Sequence, residues 1–458
     1  MDKKIVRDII RTSDFSISEE EVEITVNRVL SDVNSGNYDF NNYIREIFTQ
    51  QGKTRVIFRY HEKSTEMVLC LYLKRKIDKV FNVNYASRNR MMNIVFNLLP
   101  ATKDMNDFVI IRADFKSFFD SVLTKHVYEA YIKTSVLERR DKEIMEEYIE
   151  AFKCCYAGLA LSNVMTEIVS SDFDERLKAR LSKYGIVIYE RYVDDMLVVT
   201  NKYISQEMFW EVINETIKEV FGKSPVKINM SPSKFSYIPR REITDAKKMF
   251  NFLGYEFQIK RVGNDIEYSY GIAEKKRRRY SGIFERAFIE YKRTGDLELL
   301  RQRIKLFASR VVIAKKISSK NYDWLTKGII ANYNELQYHM NRLIPSTEEF
   351  LKTQFVKLTT QYFSTLPYFM KESMRGESIY NLYSNMKRNR SIVFEKNIGV
   401  SEKTLLKWIN QIKPDYNKGN KDYYRIVMDY IEMLKALGEN TRFRIFEMLR
   451  NRSPFSRI

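Results

Sequence analysis

Cysteine and histidine are scarce in this chain, three of each among 458 residues. Cys70, Cys154 and Cys155 form neither a spaced disulfide framework nor a C-x-x-C metal motif, so they read as buried, reduced thiols. His61, His126 and His339 are scattered along the chain and offer no zinc cluster. No apolar run approaches the roughly 18 residues of a membrane-crossing helix. The opening Met1-Asp2-Lys3-Lys4 lacks the apolar core of a secretory signal. These absences lead us to expect a cytoplasmic location and no membrane partner. Proline and glycine are sparse beyond residue 261, where apolar residues recur at helical spacing.

Positive charge is abundant. A formal net charge of +19 and a pI near 9.4 favour a polyanionic partner. Aromatic residues make up 14% of the chain, with 30 tyrosines. Some would offer stacking surfaces for bases, and most fit a core. The length suggests two or three domains.

The stretch Tyr189-Glu190-Arg191-Tyr192-Val193-Asp194-Asp195-Met196-Leu197-Val198-Val199 sets two adjacent carboxylates between strand-forming runs. It predicts a hairpin of Ile186–Tyr192 and Met196–Thr200, turning at Asp194-Asp195. Upstream, the apolar run Phe108–Ala113, with Arg112 inside it, leads into Asp114. Two strands that end or turn at aspartate bring three carboxylates to one point. Such a group suits a pair of Mg²⁺ ions, held about 3.5–4 Å apart for phosphoryl transfer. Mg²⁺ takes oxygen ligands and usually few protein carboxylates. The competing interpretation is an ordinary polar hairpin tip.

Tyr192-Val193-Asp194-Asp195 resembles the Y-x-D-D signature of reverse transcriptases, and Asp114-Phe115-Lys116-Ser117-Phe118-Phe119-Asp120 resembles their first catalytic motif. Gly158-Leu159-Ala160-Leu161-Ser162-Asn163, with Glu167 and Asp172–Leu177 downstream, is similar to the helix that contacts template and nucleotide. Phe252-Leu253-Gly254-Tyr255 is similar to the primer-grip hairpin. The motifs occur in the family's order.

The resemblance implies RNA-directed DNA polymerisation with dNTPs, an RNA template and a DNA product. It makes Asp114 and Asp194 metal ligands, with Asp195 beside them and the Phe115 carbonyl within reach, for two Mg²⁺ or alternatively Mn²⁺. It places Lys53, Arg55, Phe119, Gly158 and Lys234 around the nucleotide. Phe119 would be the ring that excludes a 2′-hydroxyl, and Lys234 would lie near the leaving group. Phe118 and Phe119 both being core is the competing view. The sequence departs from the family at Ala157, where a glutamine is usual, and at Asn163, where a proline is usual.

The implied fold class is α+β: right-hand polymerase fingers and palm with a small antiparallel palm sheet, followed by a large all-α C-terminal region. The expected divisions are a helical extension over 1–50, fingers over 51–107, palm over 108–260 and a helical, thumb-like domain over 261–458. Ser18-Glu19-Glu20-Glu21 reads as a capping box, and Gly36 as the stop of the following helix. In the last region Leu299, Ile304, Phe307, Val311 and Val312 share a helical face. The cluster Lys275-Lys276-Arg277-Arg278-Arg279 is placed for a nucleic-acid backbone, or for solvent, and the basic tail Asn440–Ile458 for RNA or a neighbouring subunit. No appended nuclease motif is evident. The chain therefore most resembles the defence-associated bacterial branch, which implies a non-coding RNA template and an antiphage role. A homo-oligomer or a partner defence protein is compatible with that placement. Two alternatives stay open: untemplated, protein-primed synthesis by the same acids, and an inactive RNA-binding scaffold.

Overall fold

A computed structural model describes residues 1–13, 18–50, 53–316, 322–363, 380–394, 397–419 and 421–438. Helix and sheet are mixed, and the chain divides into two compact units. The first comprises Met1–Leu253 and Ile259–Glu267, and the second Gly254–Gln258 with the chain from Tyr268 onward.

In the first unit, the helix Glu19–Ser35 begins as its sequence requires. Ser18 accepts from the Glu21 amide while the Glu21 carboxylate accepts from the Ser18 amide, and Gly36 closes the helix at φ 71°. The expected all-helical extension ends sooner than residue 50. Strand β1 (Ile44–Gln50) pairs antiparallel with β2 (Lys53–Arg59), from Ile44 opposite Arg59 to Gln50 opposite Lys53. A nearby strand partner offsets what an isolated seven-residue segment lacks, so the boundary expected at 50/51 falls inside a hairpin.

The centre of this unit is a four-stranded sheet of order β4-β5-β3-β6. These strands are β3 (Val109–Asp114), β4 (Ile186–Tyr192), β5 (Asp195–Thr200) and β6 (Ser236–Pro239), each antiparallel to its neighbours. All six residues of β3 are buried, as its β-branched run demands. The helix Ala160–Leu181 contributes Val164, Met165, Ile168, Val169 and Phe173 to the same core. Strand β7 (Lys248–Phe252) is followed along the chain by β8 (Tyr255–Val262) and β9 (Asp265–Ile272).

The second unit corrects the all-α expectation. Helices Glu274–Thr294, Leu297–Ala308, Pro345–Tyr362, Glu402–Ile412 and Tyr423–Gly438 are present. Between them lies a three-stranded sheet, β11-β10-β12. It is built of β10 (Arg310–Lys316), β11 (Tyr322–Lys327) and β12 (Ser391–Phe394), with β12 parallel to β10. Val311 and Val312 are strand residues. The β-branched run Val311-Val312-Ile313 resists a helix, and its partner β12 lies too far along the chain for local spacing to reveal. Among the described residues, no helix is long and apolar enough to cross a membrane. The tail Asn440–Ile458 lies outside the described residues.

Candidate active site

Register, more than proximity in sequence, assembles the three acids. β5 runs antiparallel to β3 with Asp195 directly opposite Asp114. The hairpin between β4 and β5 pairs Tyr192 with Asp195, so its turn residues are Val193 and Asp194, and Asp195 opens the strand. The turn is therefore one residue earlier than expected. Val193 sits at φ 59°, a left-handed conformation unfavourable for a β-branched residue. The Asp194 carbonyl accepts from the Phe115 amide at 2.9 Å, joining the turn to the chain just past Asp114. On the other side, the Asn229 amide donates to the Asp114 carbonyl at 2.7 Å and the Lys116 amide to the Lys227 carbonyl at 2.8 Å.

Two cations hold two of these acids. Arg112 stands two residues before Asp114 and so on the same face of β3. Its Nε donates to Asp195 Oδ1 at 2.8 Å, its Nη1 to the Ser233 carbonyl at 2.7 Å, and its Nη2 lies 3.8 Å from Asp114 Oδ2. Lys234 reaches Asp114 Oδ2 with its Nζ from the turn leading into β6. No ion pair to Asp194 is found among the described residues. Burial, with repulsion from Asp114 second, pushes the Asp194 carboxyl up to about 6. Burial also raises Asp195, against the pull of Arg112. Arg112 was not anticipated as a site residue. Its signal was present: one cation inside an otherwise apolar run, in phase with the following aspartate.

Among the described residues, no three His, Cys, Asp or Glu side chains are grouped as around a metal ion. The donor set nevertheless fits Mg²⁺ or Mn²⁺. Its oxygens are hard, its charge is incompletely neutralised, and Mg²⁺ commonly relies on one or two carboxylates plus substrate phosphates, not on a protein cage.

The remaining expected residues divide. Phe118 is core, stacked on Phe115 at 4.8 Å between ring centroids, while Phe119 stays half-buried. Gly158 has φ 102°, and a Cβ there would collide with Ile57 Cγ2 and the Phe58 carbonyl oxygen. The close approach at Gly158 is thus to β2, reinforced by the Phe58 amide donating to the Ala157 carbonyl at 3.0 Å. Lys53 and Arg55 belong to β2 by backbone, and their side chains lie outside the described residues. Leu253 and Gly254, expected in a primer grip, form a tight turn at φ 46° and 86°. Phe252 and Tyr255 flank it as buried residues, and Arg88 donates to the Leu253 carbonyl at 2.9 Å.

Of the basic cluster, Lys275 and Arg278 are exposed, and Lys276 and Arg279 are half-buried. Arg277 departs from the expected role. Its Nη1 binds Glu256 at 3.1 Å and Thr347 at 3.2 Å, and its side chain is largely buried. Helical periodicity turns this one member of the cluster inward.

The model of one protein family, reverse transcriptase (RNA-dependent DNA polymerase), matches residues 49–257. No curated protein matches the sequence. Solved structures with similarity include apo telomerase from Candida tropicalis, at 12% identity and TM-score 0.38, covering 89% of this chain and 72% of that one. A form of it truncated from the C-terminal domain has 14% identity and TM-score 0.36, covering 50% of this chain. This chain spans 55% of that form's length. Telomerase from Candida albicans in complex with a TWJ fragment of telomeric RNA has 11% identity and TM-score 0.35, covering 94% and 68%. Residues 49–257, which hold the three aspartates and the strands that juxtapose them, are thus the part of the chain that resembles a reverse transcriptase domain.

Proposed function

We propose that this chain is an RNA-directed DNA polymerase that extends a primer with deoxynucleotides at Asp114, Asp194 and Asp195. The observation that carries the proposal is the facing of Asp114 and Asp195 across β3 and β5, with Asp194 in the adjoining turn, inside the matched domain. In this reading β3 and the β4–β5 hairpin are the palm, and β1–β2 belongs to the fingers.

Asp114 and Asp194, with the Phe115 carbonyl, would hold divalent ions, and Asp195 would tune them while braced by Arg112. When bound, Mg²⁺ supplies activation of a hydroxyl nucleophile and neutralisation of phosphate charge. The protein's own contribution is mostly positioning and preorganised charge. Lys234 is held against Asp114 before substrate arrives and is available to an incoming phosphate. Phe119 is the ring left open for the sugar. The order of the sequence motifs and the large unit following the domain support placement in the defence-associated branch, with a non-coding RNA as template.

Primer extension on an RNA template, with dNTPs and Mg²⁺, tests the activity. Extension by the intact chain and its loss in Asp194→Asn, Asp195→Asn are expected. No incorporation on RNA by the intact protein, or equal incorporation by the variant, would overturn it. Sequencing the RNA and DNA that co-purify tests the template: one abundant small RNA with complementary DNA supports it, and DNA without complementary RNA, bound to protein, refutes it.

A further inference from the structure

The turn that presents Asp194 is strained, and one buried arginine ties it down. In β4, residues 189 and 191 point to the face opposite Tyr192. On that face Arg191 is 3% exposed. Its Nε donates to both Asp174 oxygens at 2.9 and 2.8 Å, and its Nη2 to Glu167 Oε1 at 3.0 Å. Its Nη1 donates to the Val193 carbonyl at 3.1 Å. The Tyr189 hydroxyl adds a bond to Asp174 at 2.7 Å. Glu167 and Asp174 are seven residues apart on the helix Ala160–Leu181 and so lie on one face, two turns apart. The guanidinium fork thus spans three anchors: two on a long helix, and one on the residue held at φ 59°.

We propose that Arg191 is a positioning residue, which holds the Val193–Asp194 turn in its left-handed form by bracing it against the helix carboxylates. The assignment rests on the polymerase reading of the site. A lysine would supply the charge but not the planar fork that reaches Asp174, Glu167 and the Val193 carbonyl together. Without the brace the turn relaxes away from positive φ and the Asp194 carboxylate moves, whereas the surfaces that bind the nucleotide stay.

The test pairs steady-state incorporation with hydrogen exchange on the intact chain. Arg191→Gln is expected to lower kcat on the order of a hundredfold, with KM for dNTP within about threefold, as misplacement of a reacting group does. Exchange should quicken at the Phe115 amide, which donates to Asp194, and in the peptide over the turn. Adding Val193→Gly, which adopts positive φ without strain, should recover at least about tenfold of the lost kcat. Arg191→Lys, the milder change should glutamine fail to fold, should keep the fold and still lose kcat.

Unchanged kcat in Arg191→Gln, full activity in Arg191→Lys, no recovery with Val193→Gly, or unchanged exchange at the turn would each overturn the proposal. If the unaltered chain incorporates no nucleotide, the polymerase reading falls. The exchange measurement then still decides whether Arg191 holds the turn.

Discussion

Removing the charge of Asp194 should make the metal-free protein more stable, although the same change removes its expected activity. Asp194 is buried beside Asp114, and its carboxyl rises from an ordinary 3.8 to about 6. At 1.36 kcal/mol per pH unit, ionised Asp194 costs the folded state on the order of 3 kcal/mol. The direction follows from proton binding. Below the unfolded value both states are protonated, and nothing is lost. As pH climbs from about 4 to 6 the unfolded chain releases the proton first, and the folded state loses stability. Above 6 the whole penalty is in place. Asp194→Asn should therefore gain on the order of 3 kcal/mol at pH 7.5 in chelator, and little at pH 4.

Urea unfolding followed by tryptophan emission measures this. Trp210 packs on Phe235 at 4.5 Å, one residue from Lys234, while Trp324 and Trp408 belong to the other unit. A background with both of those changed to phenylalanine makes the signal specific to the first unit. Millimolar Mg²⁺ should stabilise the unaltered chain more than the variant, since binding to the folded state alone adds stability. Equal stability of the two proteins at pH 7.5, or a gain as large at pH 4, would refute the reasoning.

Three further outcomes are expected. Phe119→Ala should raise ribonucleotide use in single-nucleotide incorporation with little loss of stability, whereas Phe118→Ala should cost about 3–5 kcal/mol in urea unfolding by hollowing the core. Gly158→Ala should destabilise the first unit by roughly 2 kcal/mol or more, because its methyl meets the Phe58 carbonyl and its φ disfavours any side chain; urea unfolding reads this. Arg277→Ala should cost about 3 kcal/mol of stability in the second unit by leaving Glu256 buried and unpaired. Arg278→Ala should leave stability near unchanged and reduce the salt slope of nucleic-acid binding by about 1.

The legible and illegible parts of this chain differ in the range of the interactions that decide them. The capping box at Ser18, the stop at Gly36 and the hairpin before Asp195 are local, and each was readable from adjacent residue types. The one-residue shift of the turn was not. It is set by pairing Asp195 with Asp114, about 80 residues away. β10 escaped for the same reason, since a run with some helical periodicity became a strand once β12 lay parallel to it. Gly158 shows a subtler limit. The resemblance places it around the nucleotide, whereas the atoms that approach it in the folded chain belong to β2, and sequence does not say which neighbour arrives. Arg112 and Arg191 were overlooked although each breaks an apolar or strand-forming run. A guanidinium at a buried position is costly unless carboxylates meet it, so such a residue implies partners before any are seen. Both proved to face acids, two residues ahead of Asp114 in one case and two residues before the strained turn in the other. A buried arginine close in sequence to a site aspartate is thus a sequence signal in its own right, and it points to the supports that hold the acids in place.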